Sequence, residues 1–312
     1  MRSLPAYLLV FSVILPLAAP VSAWNATGHR IVAAIAYQRL TPATRAKVDE
    51  LIRSHPDYAA LFTKDAPSEP AARARAAFLY AATWPDTLRG DARFYDESRK
   101  DAIPTPLLPA FPDMGRHLTW HYYDIPYTPD GFKAPQQPLP HALSELRRLI
   151  GEIAKVSQEQ QAYDLPWLLH IEGDVHQPLH ATSRFLRSQP KGDAGGNFVY
   201  VLPDTNLHAI WDNSPGTDIS DAYVSAYAAA VTVEFPTPKR PSLDPKKWLD
   251  ESYSLVKSAV YTFGLETGSK AHPIALPVGY QEKEKPIIRR RLALAGYRLA
   301  AVLNQQLAGP TP

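Results

Sequence analysis

The 312-residue chain contains no cysteine. No disulfide staples it, no thiolate serves as its nucleophile, and cysteine-based zinc sites are excluded. Its stability has to come from a sizeable core, from metal, or from both. An excess of one charge is also missing: 33 Lys and Arg stand against 31 Asp and Glu. Global charge therefore gives no strong nonspecific attraction to nucleic acid, and any phosphate affinity has to be local. Past the first residues no apolar run is long enough to span a membrane. There is no alternation of strands and helices, no G-x-G-x-x-G, no G-x-S-x-G and no NTPase phosphate loop.

What is present begins with a processing signal. Met1–Arg2 is short and basic, LLVFSVILPLAAP (8–20) is apolar, and VSA (21–23) offers small residues to a signal peptidase. Residues 1–23 read as a cleaved leader, with an uncleaved anchor as the alternative. Trp24 is then the mature N-terminus of an exported protein, periplasmic or secreted, without a membrane span. Asn25-Ala26-Thr27 is formally a glycosylation sequon but reads as chance, because a glycan there crowds the new terminus.

Residues 24–312 read as one mainly α domain with long loops and a small β-hairpin. Thr27 is placed to cap a first helix, and Thr41-Pro42 opens a second. Residues 71–82 are alanine-rich and helical up to the break at Thr83-Trp84-Pro85. Residues 89–113 and the proline-rich 128–140 read as loops, and WHYYDIPY (120–127) as a short, partly extended segment. An amphipathic helix starts at His141. Asp164 with Pro166 marks the start of the next, FVYVLP (198–203) is the best strand, and further helices fit roughly 206–212, 220–232, 247–265 and 285–307. Long loops without disulfides are costly to order unless something pins them, which points to metal.

The metal candidates cluster in LLHIEGDVHQPLH (168–180). His170 and Asp174 are four apart, on one helical face, and a bend at Pro178 lets His180 return towards the same region. His176 lies off that face and reads as a supporting or structural histidine. NLHAIWDN repeats the spacing with His208 and Asp212. One such pair is ordinary i,i+4 pairing; two of them plus His180 indicate a multinuclear nitrogen and oxygen site, for which zinc is the natural ion. His29 and His121 by themselves fit a packed core as well as a ligand role, and Asp86 fits a turn.

Taken in order, WNATGH, WPDTLR, WHYYDIP, LLHIEGDVHQPLH, GGN and NLHAIWD resemble the S1/P1 nuclease family across nearly all of residues 24–312. That resemblance implies a secreted or periplasmic, mainly helical enzyme with three zinc ions. It implies one ion on Asp86, His121, His170 and Asp174, and a second on Trp24 (amine and carbonyl), His29 and Asp174. A third falls to His180, His208 and Asp212. Arg89 falls at a phosphate-contacting position, with Asp86 and Arg89 as the catalytic pair. Tyr122 and Asp124 fall at base-binding positions, and Asn197 lines the cleft. The expected activity is endonucleolytic hydrolysis of single-stranded DNA and RNA to 5′-phosphate products, with 3′-nucleotides as further substrates and no stable protein partner. A zinc-dependent phospholipase C is the alternative. Family members with disulfides and sugars differ from this cysteine-free chain, which fits a bacterial-type branch.

Overall fold

A computed structural model describes residues 24–308, so the expected leader (1–23) lies outside the described residues. Helix α1 (Ala26–Tyr37) is capped by Asn25, whose side chain accepts from the Gly28 N–H. The cap is thus two residues earlier than Thr27, which is buried within the first turn. Thr41 caps α2 (Pro42–Ser54) as the sequence indicates, accepting from the Thr44 N–H, with Pro42 in the first turn. The alanine-rich segment forms α3 (Pro70–Ala81), and the Trp84-Pro85 break opens a single-turn helix, α4 (Trp84–Thr87).

After the irregular stretch beyond Arg89, a 3₁₀ turn at Leu118–His121 leads into strand β1 (Ile125–Tyr127). Helix α5 (Ala142–Glu152) is capped by His141. Helix α6 (Gln158–Asp174) starts earlier than the Asp164-Pro166 pair indicates: Ser157 is its cap and Pro166 lies inside it. Asp164 is occupied elsewhere, accepting from Arg148 of α5. A 3₁₀ turn at Pro178–His180 and strand β2 (Thr182–Arg184), parallel to β1, follow. The hairpin is tiny, β3 (Tyr200–Val201) against β4 (Thr205–Asn206).

The remaining helices are α7 (Leu207–Asn213), α8 (Asp221–Glu234), α9 (Pro245–Leu255), prolonged by a π turn at Val256–Val260, and α10 (Tyr280–Leu307). One continuous core includes all five fully buried tryptophans, Trp24, Trp84, Trp167, Trp211 and Trp248. Helix α6 runs through it: every residue from Ala162 to Asp174 is buried. Buried on every side in its second half, α6 has its carboxylates and imidazoles there enclosed by protein. No helix among the described residues is long and apolar enough to cross a membrane.

Candidate metal centre

Four elements converge on Asp174. From α6 itself comes His170, one turn earlier; from α1 comes His29; from the 3₁₀ turn before β1 comes His121; from α4 comes Asp86. Asp174 Oδ1 lies 3.2 Å from His29 Nε2, and Oδ2 lies 3.3 Å from both His121 Nδ1 and His170 Nε2. The two carboxylate oxygens therefore face different imidazoles, and His170 belongs to both neighbouring groups. His29, His170 and Asp174 place ligand atoms within 4.8 Å of one another, and so do Asp86, His121 and His170.

Local packing fixes these side chains. The His29 and His170 rings stack at 3.9 Å. His170 Nδ1 donates to the Ala82 carbonyl (2.8 Å) at the end of α3, which leaves Nε2 as the lone-pair nitrogen facing the cluster. Asp57 accepts from Trp84 Nε1 (2.8 Å) and so anchors α4, which presents Asp86. Arg89 Nε donates to Asp86 Oδ1 (3.1 Å), while its second terminal nitrogen is a buried donor without a partner. Trp24 is fully buried; its indole donates to the Gly173 carbonyl (3.0 Å), next to Asp174.

A third group lies on the other side of the Pro178 turn. His180, His208 and Asp212 also bring ligand atoms within 4.8 Å of one another. His180 Nδ1 donates to the His121 carbonyl and His208 Nδ1 to the Gly195 carbonyl, at 2.8 and 2.7 Å. Both rings are thereby held with Nε2 unprotonated in the neutral form, yet the two Nε2 atoms face each other at 3.0 Å. Asp212 Oδ2 is 3.2 Å from His208 Nε2. Two imidazole nitrogens and a carboxylate oxygen converging in this way form a donor set that suits zinc. The first two groups pass the same test: both His29 nitrogens and both Asp174 oxygens are buried without a hydrogen-bond partner, an arrangement that costs stability unless something coordinates them.

Burial dominates the acid–base behaviour of the centre. It lowers His29 to about 4 and holds His121, His170 and His180 below the ordinary imidazole value. Neutral imidazoles are the form that binds metal. Burial also raises Asp174 and Asp212, because removal from water disfavours the charged carboxylate. Asp86 differs: burial works against its ionisation, but His170 and Arg89 outweigh it and lower its pKa.

Tyr122 and Asp124 line a cavity of about 80 Å³ together with Leu179, His180, Ala194, Gly195 and His208, directly beside the third group. Burial pushes Asp124 up to about 7. Asn197 is not among the lining residues; its amide donates to the Ala194 carbonyl (2.8 Å) and braces the loop that does line the cavity. His176 joins none of the groups. Its Nδ1 donates to the Glu172 carbonyl and its Nε2 accepts from Arg298 of α10, the structural role that its off-face position indicates.

Sequence reasoning missed Asp193. One of its oxygens accepts from the Arg184 and Gly196 N–H groups and the other from the Tyr261 hydroxyl (2.7 Å), which shapes the turn presenting the Gly195 carbonyl to His208. The only sequence signal was an acid ahead of two glycines.

Comparison with known proteins identifies the family. The model of the S1/P1 Nuclease family matches residues 24–308. Nuclease S1 of Aspergillus oryzae (strain ATCC 42149 / RIB 40) is 30% identical over 169 residues, 47% of this chain and 55% of that protein. Endonuclease 4 of Arabidopsis thaliana is 32% identical over 163 residues, 45% of this chain and 49% of that protein. The chain thus spans about half the length of the curated relatives it matches.

Proposed function

Because the chain belongs to the S1/P1 nuclease family, we propose that it is an exported zinc-dependent endonuclease. Its substrates are single-stranded DNA and RNA, cut to 5′-phosphate products, with 3′-nucleotides also hydrolysed. The observation that carries this reading is the junction of two His/Asp clusters at His170 and Asp174, whose two oxygens face different imidazoles, with a third cluster beside the cavity lined by Tyr122 and Asp124.

Asp86, His121, His170 and Asp174 would hold one zinc; Trp24 (amine and carbonyl), His29 and Asp174 a second; His180, His208 and Asp212 the third. When bound, the ions supply Lewis acidity, which activates water near neutral pH and neutralises charge building on phosphate oxygens. The protein contributes position. Arg89, oriented by Asp86 and left with a buried unpaired donor, suits a non-bridging phosphate oxygen. Tyr122 offers a stacking face worth about 1–3 kcal/mol per base, and Asp124 an edge acceptor. A base must leave its duplex stack to reach them, hence the preference for single strands.

The test compares cleavage of one oligonucleotide alone and in a duplex, at fixed salt, with analysis of product ends and phosphatidylcholine as a parallel substrate. Faster cleavage of the single strand with 5′-phosphate ends is expected. Equal rates would remove the single-strand reading, and turnover of the lipid instead of the oligonucleotide would favour the phospholipase. The role of the Trp24 amine has its own test, because an α-amine ligates only when free and deprotonated. Protein carrying an extra residue before Trp24 is expected to lose one zinc and most activity; full zinc content there would remove that role.

A further inference from the structure

Gln177 touches three members of the centre with three different parts of itself. Its N–H donates to the Asp174 carbonyl (2.9 Å), and its carbonyl accepts from the His180 N–H (3.0 Å). Its fully buried side chain reaches across to α7, where Nε2 donates to Asp212 Oδ1 (2.8 Å). The amide orientation is not arbitrary. The Leu179 N–H, 2.5 Å away, is only a donor, so the atom facing it must be Oε1. That forces the NH₂ group towards Asp212, which must then present Oδ1 as an acceptor. Oδ2 is left turned to His208 Nε2 and to the third cluster.

We propose that Gln177 is a positioning residue for the third metal: it fixes which oxygen of Asp212 faces the cluster and locks α7 to the turn joining Asp174 to His180. The proposal rests on the three-cluster reading above. A carboxylate tethered through one oxygen loses the freedom to rotate that oxygen inward, and supporting hydrogen bonds of this kind are typically worth about 10–100-fold in metal affinity. The interaction cannot be inferred from spacing, since Gln177 and Asp212 are 35 residues apart.

Gln177→Glu separates positioning from plain capping. Glutamate keeps the shape and still accepts from the Leu179 N–H, but it replaces the donor to Asp212 by a like charge. Gln177→Met, of similar volume, removes both bonds and checks that added charge is not the whole effect. Zinc per chain is measured by elemental analysis across a series of zinc buffers, together with the melting temperature of each metal-free protein. Wild type is expected to fill three sites. Both variants are expected to keep two and to bind the third about 10–100-fold more weakly, with each metal-free variant still melting cooperatively. A third site of wild-type affinity in Gln177→Glu overturns the positioning role. A wild type that fills fewer than three sites overturns the three-ion reading itself, and the role of Gln177 falls with it.

Discussion

His117 keeps its charge because of where its ring is held. It stacks on Trp120 at 3.7 Å, with Nε2 2.8 Å from Asp113 and Nδ1 3.2 Å from Glu97. Burial alone would lower its pKa, but the two carboxylates outweigh burial and raise it to about 9. A pKa raised on folding gives stability that is complete below the unfolded value, near 6.5, and lost as pH rises through about 9. The ceiling on this contribution is about 3 kcal/mol. Urea unfolding of wild type and His117→Gln is therefore expected to differ most near pH 6 and least above pH 9, where only the lost stacking remains; a gap independent of pH would contradict the assignment. Gly195 is a second sensitive residue. Its φ is +58°, and a Cβ there would stand 2.4 Å from the Leu179 carbonyl oxygen, so no side chain fits without moving backbone. Gly195→Ala is expected to destabilise by about 1–3 kcal/mol and to weaken zinc at the third cluster, because the Gly195 carbonyl holds His208. Unchanged melting and zinc content would show that the turn yields.

Among the described elements, α1 and α10 share the most extensive contact. A Cβ at Gly296 would meet Ile35 Cγ2 at 2.4 Å and the Val32 carbonyl at 3.1 Å, so the glycine lets α10 lie directly against the helix that delivers His29. Gly296→Val is expected to cost about 1–3 kcal/mol through overpacking, read as a lower melting midpoint; a midpoint at or above wild type would contradict this packing. The sequence made most helices legible, since their apolar periodicity and caps are local. It misplaced α6, where Pro166 reads as a first-turn marker yet sits inside a helix already begun at Gln158. It also set the start of α10 at 285, beside Pro286, which is likewise internal to a helix that begins at Tyr280. At Pro166 burial against the core outweighs the loss of one backbone bond, whereas Pro286 is exposed and its helix is held by buried Tyr280, Glu284 and Ile288 on either side. Thr27 failed as a cap for a different reason: Asn25 is tied to α7 through Asn213 and the Gly216 carbonyl, a long-range bond that no window of sequence contains. That bond also engages the amide a glycan would need.

For the whole molecule, the three clusters sit on segments that otherwise share little regular structure: the start of α1, α4, two 3₁₀ turns, α6 and α7. Their ligand types were visible as motifs, and the His-x-x-x-Asp spacing put two pairs on helical faces. What spacing could not show was that Asp174 faces His29 with one oxygen and His121 and His170 with the other, or the carbonyls of Ala82, His121 and Gly195 that hold His170, His180 and His208. With no cysteine in the chain, ions bound at the clusters would tie these segments together. Each ion held at a free concentration 100 times its Kd stabilises by about 2.7 kcal/mol. Chelation is therefore expected to lower the melting midpoint and to expose the loops between α4 and α5 to protease; a midpoint unmoved by chelator would show that metal does not organise the fold.

The central claim, that the three His/Asp clusters are a zinc centre for nucleic-acid hydrolysis, is tested most directly by metal reconstitution. Zinc is added stepwise to chelated protein while bound zinc per chain and cleavage of a single-stranded oligonucleotide are followed together. The expected result is no cleavage without metal and recovery that completes only as three equivalents bind. Cleavage by the metal-free protein, or full recovery with a single equivalent, would contradict it.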